Sequence, residues 1–304
     1  MILCAGEALI DMLPRETNAG ESAFAPHAGG AVFNTAIALG RLGAPVQFFS
    51  GLSSDLFGDV LRRELAASHV DSAPAAVSDR PTTLAFVTLT DGHASYAFYD
   101  ENTAGRMITP DDVPTVTADA VFVGGISLAV EPCAAAYEAL ATDAASSAVV
   151  MMDPNVRPSF IKDADHYRAR ITRLFGCCDI VKLSDEDLAW FYPDMSLQDA
   201  VAQIIAAGVK LLCITEGAKG VTGYSASAPV FVAANKAQVV DTVGAGDTFN
   251  AGLLASLHKA GVLSKAGIAA LSADTIRDAL AMGAKTAAIT VSRAGANPPW
   301  AHEL

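Results

Sequence analysis

The chain is short of positive charge: 20 Lys and Arg stand against 33 Asp and Glu, for a formal net charge of −13. A field of that sign repels phosphate backbones and anionic headgroups, which argues against nucleic acid and membrane surfaces as partners. Also missing is an uncharged apolar run of the roughly 18 residues that a bilayer span requires. The richest stretch, residues 120–130, is short and is broken by Gly124 and Gly125. No basic segment opens the N-terminus, where residues 1–7 pass straight into a strand-like pattern, so a cytoplasmic location is expected. Cysteine is scarce and unpatterned, five residues with no metal-ligand spacing. Cys4 and Cys213 fall inside apolar strand candidates, so buried reduced thiols are expected. The six histidines form no triad, and no serine elbow or zinc pattern appears. Hydrolase chemistry has no support.

What is present is core-forming material: 304 residues, 52% of them hydrophobic. Short apolar runs at 2–5, 46–50, 120–123, 148–152, 180–183, 211–215 and 287–291 read as strands. Ala-rich segments long enough for helices, such as 133–146, 197–207 and 266–285, separate most of them. That rhythm predicts βαβ units and an α/β fold with a mostly parallel sheet covered on both faces. The strands are continuous rather than alternating, as double-sided burial requires. One interval breaks the rhythm. Residues 83–90 and 94–99 read as two consecutive strands joined by Asp91-Gly92, a strong hairpin signal. A hairpin does not fit a parallel core, so it is expected to project as a flap, joined by the segment around 14–24. The expectation is one domain, 1–304, with a small β lid at about 12–25 and 82–106.

The most informative string is DTVGAGDTFNAG, from Asp241 to Gly252. Gly244 and Gly246, flanking Ala245, let the backbone curl into a turn. Phe249, Leu253 and Leu257 recur at helical spacing, so the following helix is anchored in a core. Its N-terminus then offers unpaired N–H groups and a partial positive charge, which suits a phosphate. Asp247 repels that anion unless its charge has a task, such as accepting a proton from an attacking hydroxyl; the plainer alternative is a helix cap. No Lys follows the glycines, which excludes a Walker A loop, and Phe249 occupies the third-glycine place of a dinucleotide fingerprint.

Other polar groups gather around that turn. AGGAVFNTAIALGRLG (Ala28 to Gly43) places Gly29 and Gly30 before a nearly all-apolar helix that carries Asn34. Asp11 breaks an apolar run soon after the first strand. Three groups follow strand ends: Asp153-Pro-Asn155-Val-Arg157, Lys182-Leu-Ser184-Asp-Glu186 and Thr215-Glu-Gly217-Ala-Lys-Gly220. In an open α/β sheet, ligands bind outside the carboxyl ends of strands, so these groups converge on the edge that holds Asp247. Taken singly, each is also ordinary turn or helix-start chemistry.

Together the two long strings resemble the signatures of the ribokinase-like (pfkB-type) carbohydrate kinases, and the likeness runs from Met1 to Trp300. It implies a three-layer α/β/α sandwich and ATP-dependent phosphorylation of a sugar hydroxyl with Mg2+. Asp247 would be the general base, with Gly244, Ala245 and Gly246 forming the anion hole. Asp11, Gly29, Gly30, Asn34, Phe98, Arg106, Asp153, Asn155 and Arg157 would contact the sugar. Lys182, Ser184, Glu186, Thr215, Gly217, Gly220, Met282 and Gly283 would lie on the nucleotide side, with Glu186 reaching Mg2+ through water. Asp241 and Val243 would mark a K+ site. Residues 96–106 and 153–157 resemble bacterial fructokinases, which makes fructose the expected substrate and fructose 6-phosphate the product. The rival, 2-keto-3-deoxygluconate kinase, wants a cation for its substrate's carboxylate, whereas Asp100 and Glu101 follow Phe98-Tyr99 here. A non-catalytic sensor on the same fold is the reading from another class, and the intact Asp247 argues against it. Exposed flap edges pair readily, so a homodimer joined there is expected.

Overall fold

The computed structural model describes residues 1–90 and 93–304, with backbone alone for 88–90 and 93–96. Eight strands form the central sheet: β1 (Ile2–Ala5), β4 (Val46–Phe49), β9 (Ala120–Gly124), β10 (Val149–Asp153), β11 (Ile180–Ser184), β12 (Leu211–Thr215), β13 (Gly220–Tyr224) and β14 (Val230–Ala233). Their order is β14-β13-β12-β11-β10-β9-β1-β4. The strands from β12 to β4 run parallel, and β13 and β14 finish one edge antiparallel.

Alternate residues of the buried strands feed two separate cores. Ile2, Cys4, Ile180, Leu211 and Cys213 face α1 (Ala31–Arg41), α2 (Leu56–Ala67), α7 (Ala245–Lys259), α8 (Lys265–Ala269) and α9 (Ala273–Val291). Leu3, Ala5, Val121, Val181 and Leu212 face α3 (Cys133–Ala144), α4 (Ala164–Phe175), α5 (Asp185–Phe191) and α6 (Leu197–Ala206). Both faces are therefore dry, and the chain is an α/β/α sandwich. All five cysteines are free thiols, and Cys4 and Cys213 are buried as expected.

The chain leaves β1 toward β4 on one side and returns through β9 on the other. The sheet thus has a switch point at β1, where a crevice opens outside the strand ends. Above that crevice stands a second sheet: β2 (Leu9–Glu16), β3 (Ser22–Gly29), β7 (Leu84–Thr90) and β8 (His93–Tyr99), ordered β3-β2-β7-β8. Its strands come from the two segments expected to form a flap, and β2 and β3 pair along their whole length from Leu9↔Gly29 to Glu16↔Ser22. The Asp91-Gly92 turn lies outside the described residues. A short ribbon, β5 (Gly51–Ser53) with β6 (Ala76–Ser78), completes the strands among the described residues.

Two expectations fail near the C-terminus. Residues 287–291 are not a strand; they are the last turns of α9. Their β-branched side chains suit a helix here because Thr286 and Thr290 donate their hydroxyls to carbonyls one turn back, at Met282 (3.0 Å) and Thr286 (3.1 Å). Ile276, Ala279, Leu280, Gly283, Thr286 and Thr290 are all buried, a helical period that alternation cannot produce. The single helix expected over 266–285 is split into α8 and α9, because Ser272 caps a new start by accepting the Thr275 amide at 3.1 Å. The hairpin of β13 and β14 also escaped the sequence reading: β13 is broken up by Gly220, Thr222 and Gly223, and β14 is only four residues long.

The helices α7 and α9 cross closely at Gly252, where the Thr286 hydroxyl of α9 also approaches. A Cβ on Gly252 would stand 2.8 Å from Gly283 Cα and 2.9 Å from the Met282 carbonyl oxygen, both backbone atoms that cannot swing aside. Gly252→Ala is therefore expected to destabilise the fold by about 1–3 kcal/mol, the usual cost of overpacking, in spite of alanine's better helix propensity. Chemical denaturation measures it, and an unchanged midpoint would rule the tight crossing out.

Candidate active site

The crevice holds a cavity of about 240 Å3. Its walls come from the β1–β2 turn and β2 (Glu7, Leu9, Asp11), the start of α1 (Gly30, Ala31, Asn34), the turn after β9 (Gly125, Ile126), Asn155 and Arg157 after β10, Phe98 of β8, and residues 242–247. Residues scattered from position 7 to 247 thus meet where the switch point puts them.

Asp247 is the centre of the site. Gly244, in the left-handed conformation (φ 78°), turns the chain into α7. The amides of Gly246 and Asp247 find no acceptor among the described residues, whereas Thr248 N–H closes the first helical bond to the Gly244 carbonyl at 2.8 Å. The Asp247 carboxylate is buried and accepts hydrogen bonds from Asn34 Nδ2 (2.9 Å) and Asn155 Nδ2 (3.4 Å). Thr35 Oγ1 donates to the Asp247 carbonyl at 3.1 Å, tying α1 to α7 a second time. Burial pushes the Asp247 carboxyl up to about 7, and the nearby Asp153 charge adds to the rise, while the Asn34 bond, Arg157 and Lys182 oppose it. Asp11 is pushed up to about 6 by burial, against the pull of Arg157.

A second tier supports this carboxylate. Asp153 is buried, does not line the cavity, and is fully engaged: Lys182 Nζ (3.1 Å) and Asn250 Nδ2 (2.7 Å) donate to one oxygen, and the Asn155 amide (3.1 Å) donates to the other. The last bond holds Asn155 at φ +44°, which aims its side chain at Asp247. Arg157 Nη1 locks the same residue by donating to Asn155 Oδ1 at 2.7 Å. Lys182 stands under the glycine turn; a Cβ on Gly246 would lie 3.1 Å from its Nζ. Burial acts to lower the pKa of that ammonium, but Asp153, Asp187 and Asp247 outweigh it and the net shift is upward. A cation therefore sits below the unpaired amides, an arrangement whose electrostatics suit an anion.

The remaining sequence candidates divide. Gly29 leaves room for the Asp11 carboxylate, which a Cβ there would meet at 2.2 Å. Ser184 spends its hydroxyl capping α5, accepting the Asp187 amide at 3.0 Å, and Glu186 is exposed at the start of that helix. Thr215 donates to the Leu183 carbonyl at 3.4 Å, and Gly217 is exposed in the turn that follows. Gly220 is buried against β14, 2.2 Å from the Val232 oxygen if it bore a Cβ. Gly283 packs on the Phe249 ring in the α7–α9 seam, with half-buried Met282 beside it. Asp241 joins two loops by accepting the amides of Val243 (3.0 Å) and Gly295 (2.9 Å). Arg106 lies outside the cavity, paired with Asp100 at 3.1 Å and donating to the Glu131 carbonyl. Sequence reading missed Asn250, whose place three residues after Asp247 was a usable signal, and Asp187, which joins the Asp153–Arg157 loop to α5 through the Val156 amide (2.9 Å).

Across residues 1–303 the chain matches the pfkB family carbohydrate kinase. The chain belongs to that family. It is 52% identical over 280 residues to a fructokinase of Rhizobium leguminosarum bv. trifolii, covering 91% of this chain and 86% of that protein. Similar solved structures include a fructokinase from Xylella fastidiosa with bound ATP, at TM-score 0.88 and 31% identity, covering 97% of this chain and 93% of that one. Another is a fructokinase from Vibrio cholerae O395 bound to fructose, ADP and calcium ion, at TM-score 0.85 and 26% identity, covering 97% and 94%. In this sugar kinase the buried Asp247 has a measurable thermodynamic signature. A carboxyl whose pKa rises on folding contributes stability below its unfolded value, about 3.9, and loses it as pH climbs through about 7. Asp247→Asn is expected to raise Tm by several degrees at pH 8, with the gain vanishing toward pH 4; equal melting at pH 8 would contradict the buried charge.

Proposed function

We propose that this kinase transfers the γ-phosphoryl group of ATP to the primary hydroxyl of fructose, giving fructose 6-phosphate. The observation that carries the reading is a buried carboxylate, raised toward neutrality, at the mouth of an anion hole inside a monosaccharide-sized cavity. Asp11, Gly30 and Asn34 line the sugar end, and Phe98 covers it from the lid, excluding water. Asp247 takes the proton as the hydroxyl oxygen bonds to the γ-phosphorus. The bond to the β–γ bridging oxygen breaks, and ADP leaves with that electron pair. The Gly246 and Asp247 amides and the Lys182 ammonium face the charge that gathers on the transferred group.

A divalent ion fits this donor set in one way. Among the described residues no three His, Cys, Asp or Glu side chains converge on a point. Mg2+ keeps much of its water and needs few protein ligands, so exposed Glu186, outside the carboxyl end of β11, would hold it through water. When bound it neutralises charge on the phosphates; the proton remains the work of Asp247.

The contrast with 2-keto-3-deoxygluconate rests on different residues from those the sequence suggested. Asp100 is paired with Arg106 in a neighbouring hollow that shares Phe98 with the cavity, so its charge is already offset. Instead Glu7, Asp11 and Asp247 line the cavity against one cation, Arg157, and a sugar acid would meet that acidic wall. We further propose a homodimer through the lid. Phe24 and Tyr99, 43% and 63% exposed, flank Phe86 at centroid distances of 5.0 and 5.4 Å, an aromatic strip on the outer lid face. Light scattering should give the mass of two chains, and Phe24→Asp should give one; a wild-type monomer at micromolar concentration refutes the dimer.

Two kinetic results are expected. Asp247→Asn should lower kcat by about 10²–10⁴-fold with ATP and sugar binding kept, and kcat/KM of the wild type should climb through pH about 7 as Asp247 ionises. A coupled ADP-release assay over a sugar panel checks both. Full turnover in the variant, or faster turnover of 2-keto-3-deoxygluconate than of fructose, overturns the reading.

A further inference from the structure

One buried acid in the cavity has no place in the reaction above. Glu7 sits between β1 and β2, is 8% exposed, and lines the cavity. Burial raises its pKa; hydrogen bonding from its own amide, Ser127 and Ala31 opposes the rise, with no cation among the influences on it. Such a charge is costly to keep, so what it contacts matters.

Its two oxygens serve two different walls. Oε1 accepts the Ala31 amide at 2.9 Å, the first residue of α1, whose N-cap Gly30 has no side chain to do so. Oε2 accepts the Ser127 amide at 3.3 Å, in the 3-10 turn Gly125–Leu128 that follows β9. The first wall carries Asn34 one helical turn later, and through it Asp247. The second presents Gly125 and Ile126 to the cavity. Both walls approach Glu7 at glycines. Gly30 has φ +109° and a Cβ there would lie 2.9 Å from the Glu7 carbonyl oxygen; Gly125 has φ +68° and a Cβ there would lie 2.0 Å from Oε1. Gly125 thus clears space for the carboxylate itself, and Gly30 for the Glu7 backbone and Cγ, while Gly6 lets Val32 of α1 and Ser127 approach the same turn, its Cβ otherwise 2.5 Å from Val32 Cγ2 and 3.0 Å from Ser127 Oγ.

Only a carboxylate can do this. Two N–H donors from separate elements demand two acceptors, and a glutamine would turn one NH2 donor toward another donor. We propose that Glu7 is a positioning residue that clamps the Gly30–Ala31 wall to the Gly125–Ser127 wall and thereby sets the width of the sugar site. It takes no part in proton or phosphoryl transfer. The proposal rests on the sugar-kinase reading of the cavity.

The test compares Glu7→Gln, Gly125→Ala and the double variant with wild type, using the sugar that wild type phosphorylates best. The expected result is a sugar KM raised about tenfold or more, with kcat within about threefold and ATP KM unchanged, which is the pattern of lost uniform binding. The double variant should be no worse than either single one, because both break the same clamp. If the variants misfold, amide hydrogen exchange in the wild type replaces them: sugar alone should slow exchange at Ala31 and Ser127, and ATP alone should not. An unchanged sugar KM, a loss in kcat with both KM values intact, or exchange at those amides indifferent to sugar overturns the clamp. Absence of turnover with any sugar in the wild type would instead strike at the kinase reading.

Discussion

The contact on which the rest depends is the pair of side-chain amides that grip Asp247. Asn34 and Asn155 reach its carboxylate from α1 and from the loop after β10. A carboxylate buried without a paired cation is unfavourable, and two amide donors are what make it tolerable. To deliver them, α1 must lie against α7, and the β10 loop must hold one residue in a left-handed conformation. The sheet order supplies the first requirement, since it brings the start of α1 to the same strand ends as α7. Asp153 supplies the second. Its own oxygens are saturated by Lys182, Asn250 and the Asn155 amide, so the loop has little freedom to tilt.

Much of this could be read from the chain before any coordinates. Strands buried on both faces are contiguous apolar runs, and those beginning at Ile2, Val46, Ala120, Ile180 and Leu211 stand where such runs occur. Polar groups just past their ends then fall on one edge by topology alone, which placed Asp11, Asn34, Asn155, Arg157 and Asp247 in one cavity. What escaped has a physical reason in each case. The end of α9 is rich in β-branched residues, and only threonine hydroxyls bonding back along the helix make that run helical. The pairing of β13 with β14 depends on Gly220 fitting against the Val232 carbonyl, a contact between distant positions.

The side chains themselves were harder to rank than to locate. Asp153 and Arg106 both stand in strings that suggest substrate contact, yet one is consumed by Lys182 and the other by Asp100. A sequence gives no account of which donors are already spent. The same blindness hid Glu7, whose partners lie 24 and 120 residues away. Glycine offers a partial remedy. Gly29, Gly125 and Gly246 each mark a place where a charged side chain (Asp11, Glu7 and Lys182) presses on backbone, so clustered glycines point to the occupied space between them.

The site's acids are told apart by their neighbours, and that separation is what brings one carboxyl, Asp247, near neutrality. Asp153 faces the Lys182 ammonium at 3.1 Å. Asp187 has its oxygens committed to the backbone amides of Val156 and Ser184, both at 2.9 Å. Asp247 has neither a direct ion pair nor a backbone donor among the described residues, only neutral side-chain amides. Coulomb attraction from Lys182 and Arg157 reaches it but does not overcome burial. Three carboxyl groups in one tier are thereby set apart by environment alone: two hold loops, and the third is left with the raised pKa that the proposed proton transfer requires. Moving Lys182 directly onto Asp247 would reverse this, giving a firmer ion pair and a poorer base, because a salt-bridged carboxylate has little affinity for the proton it must accept.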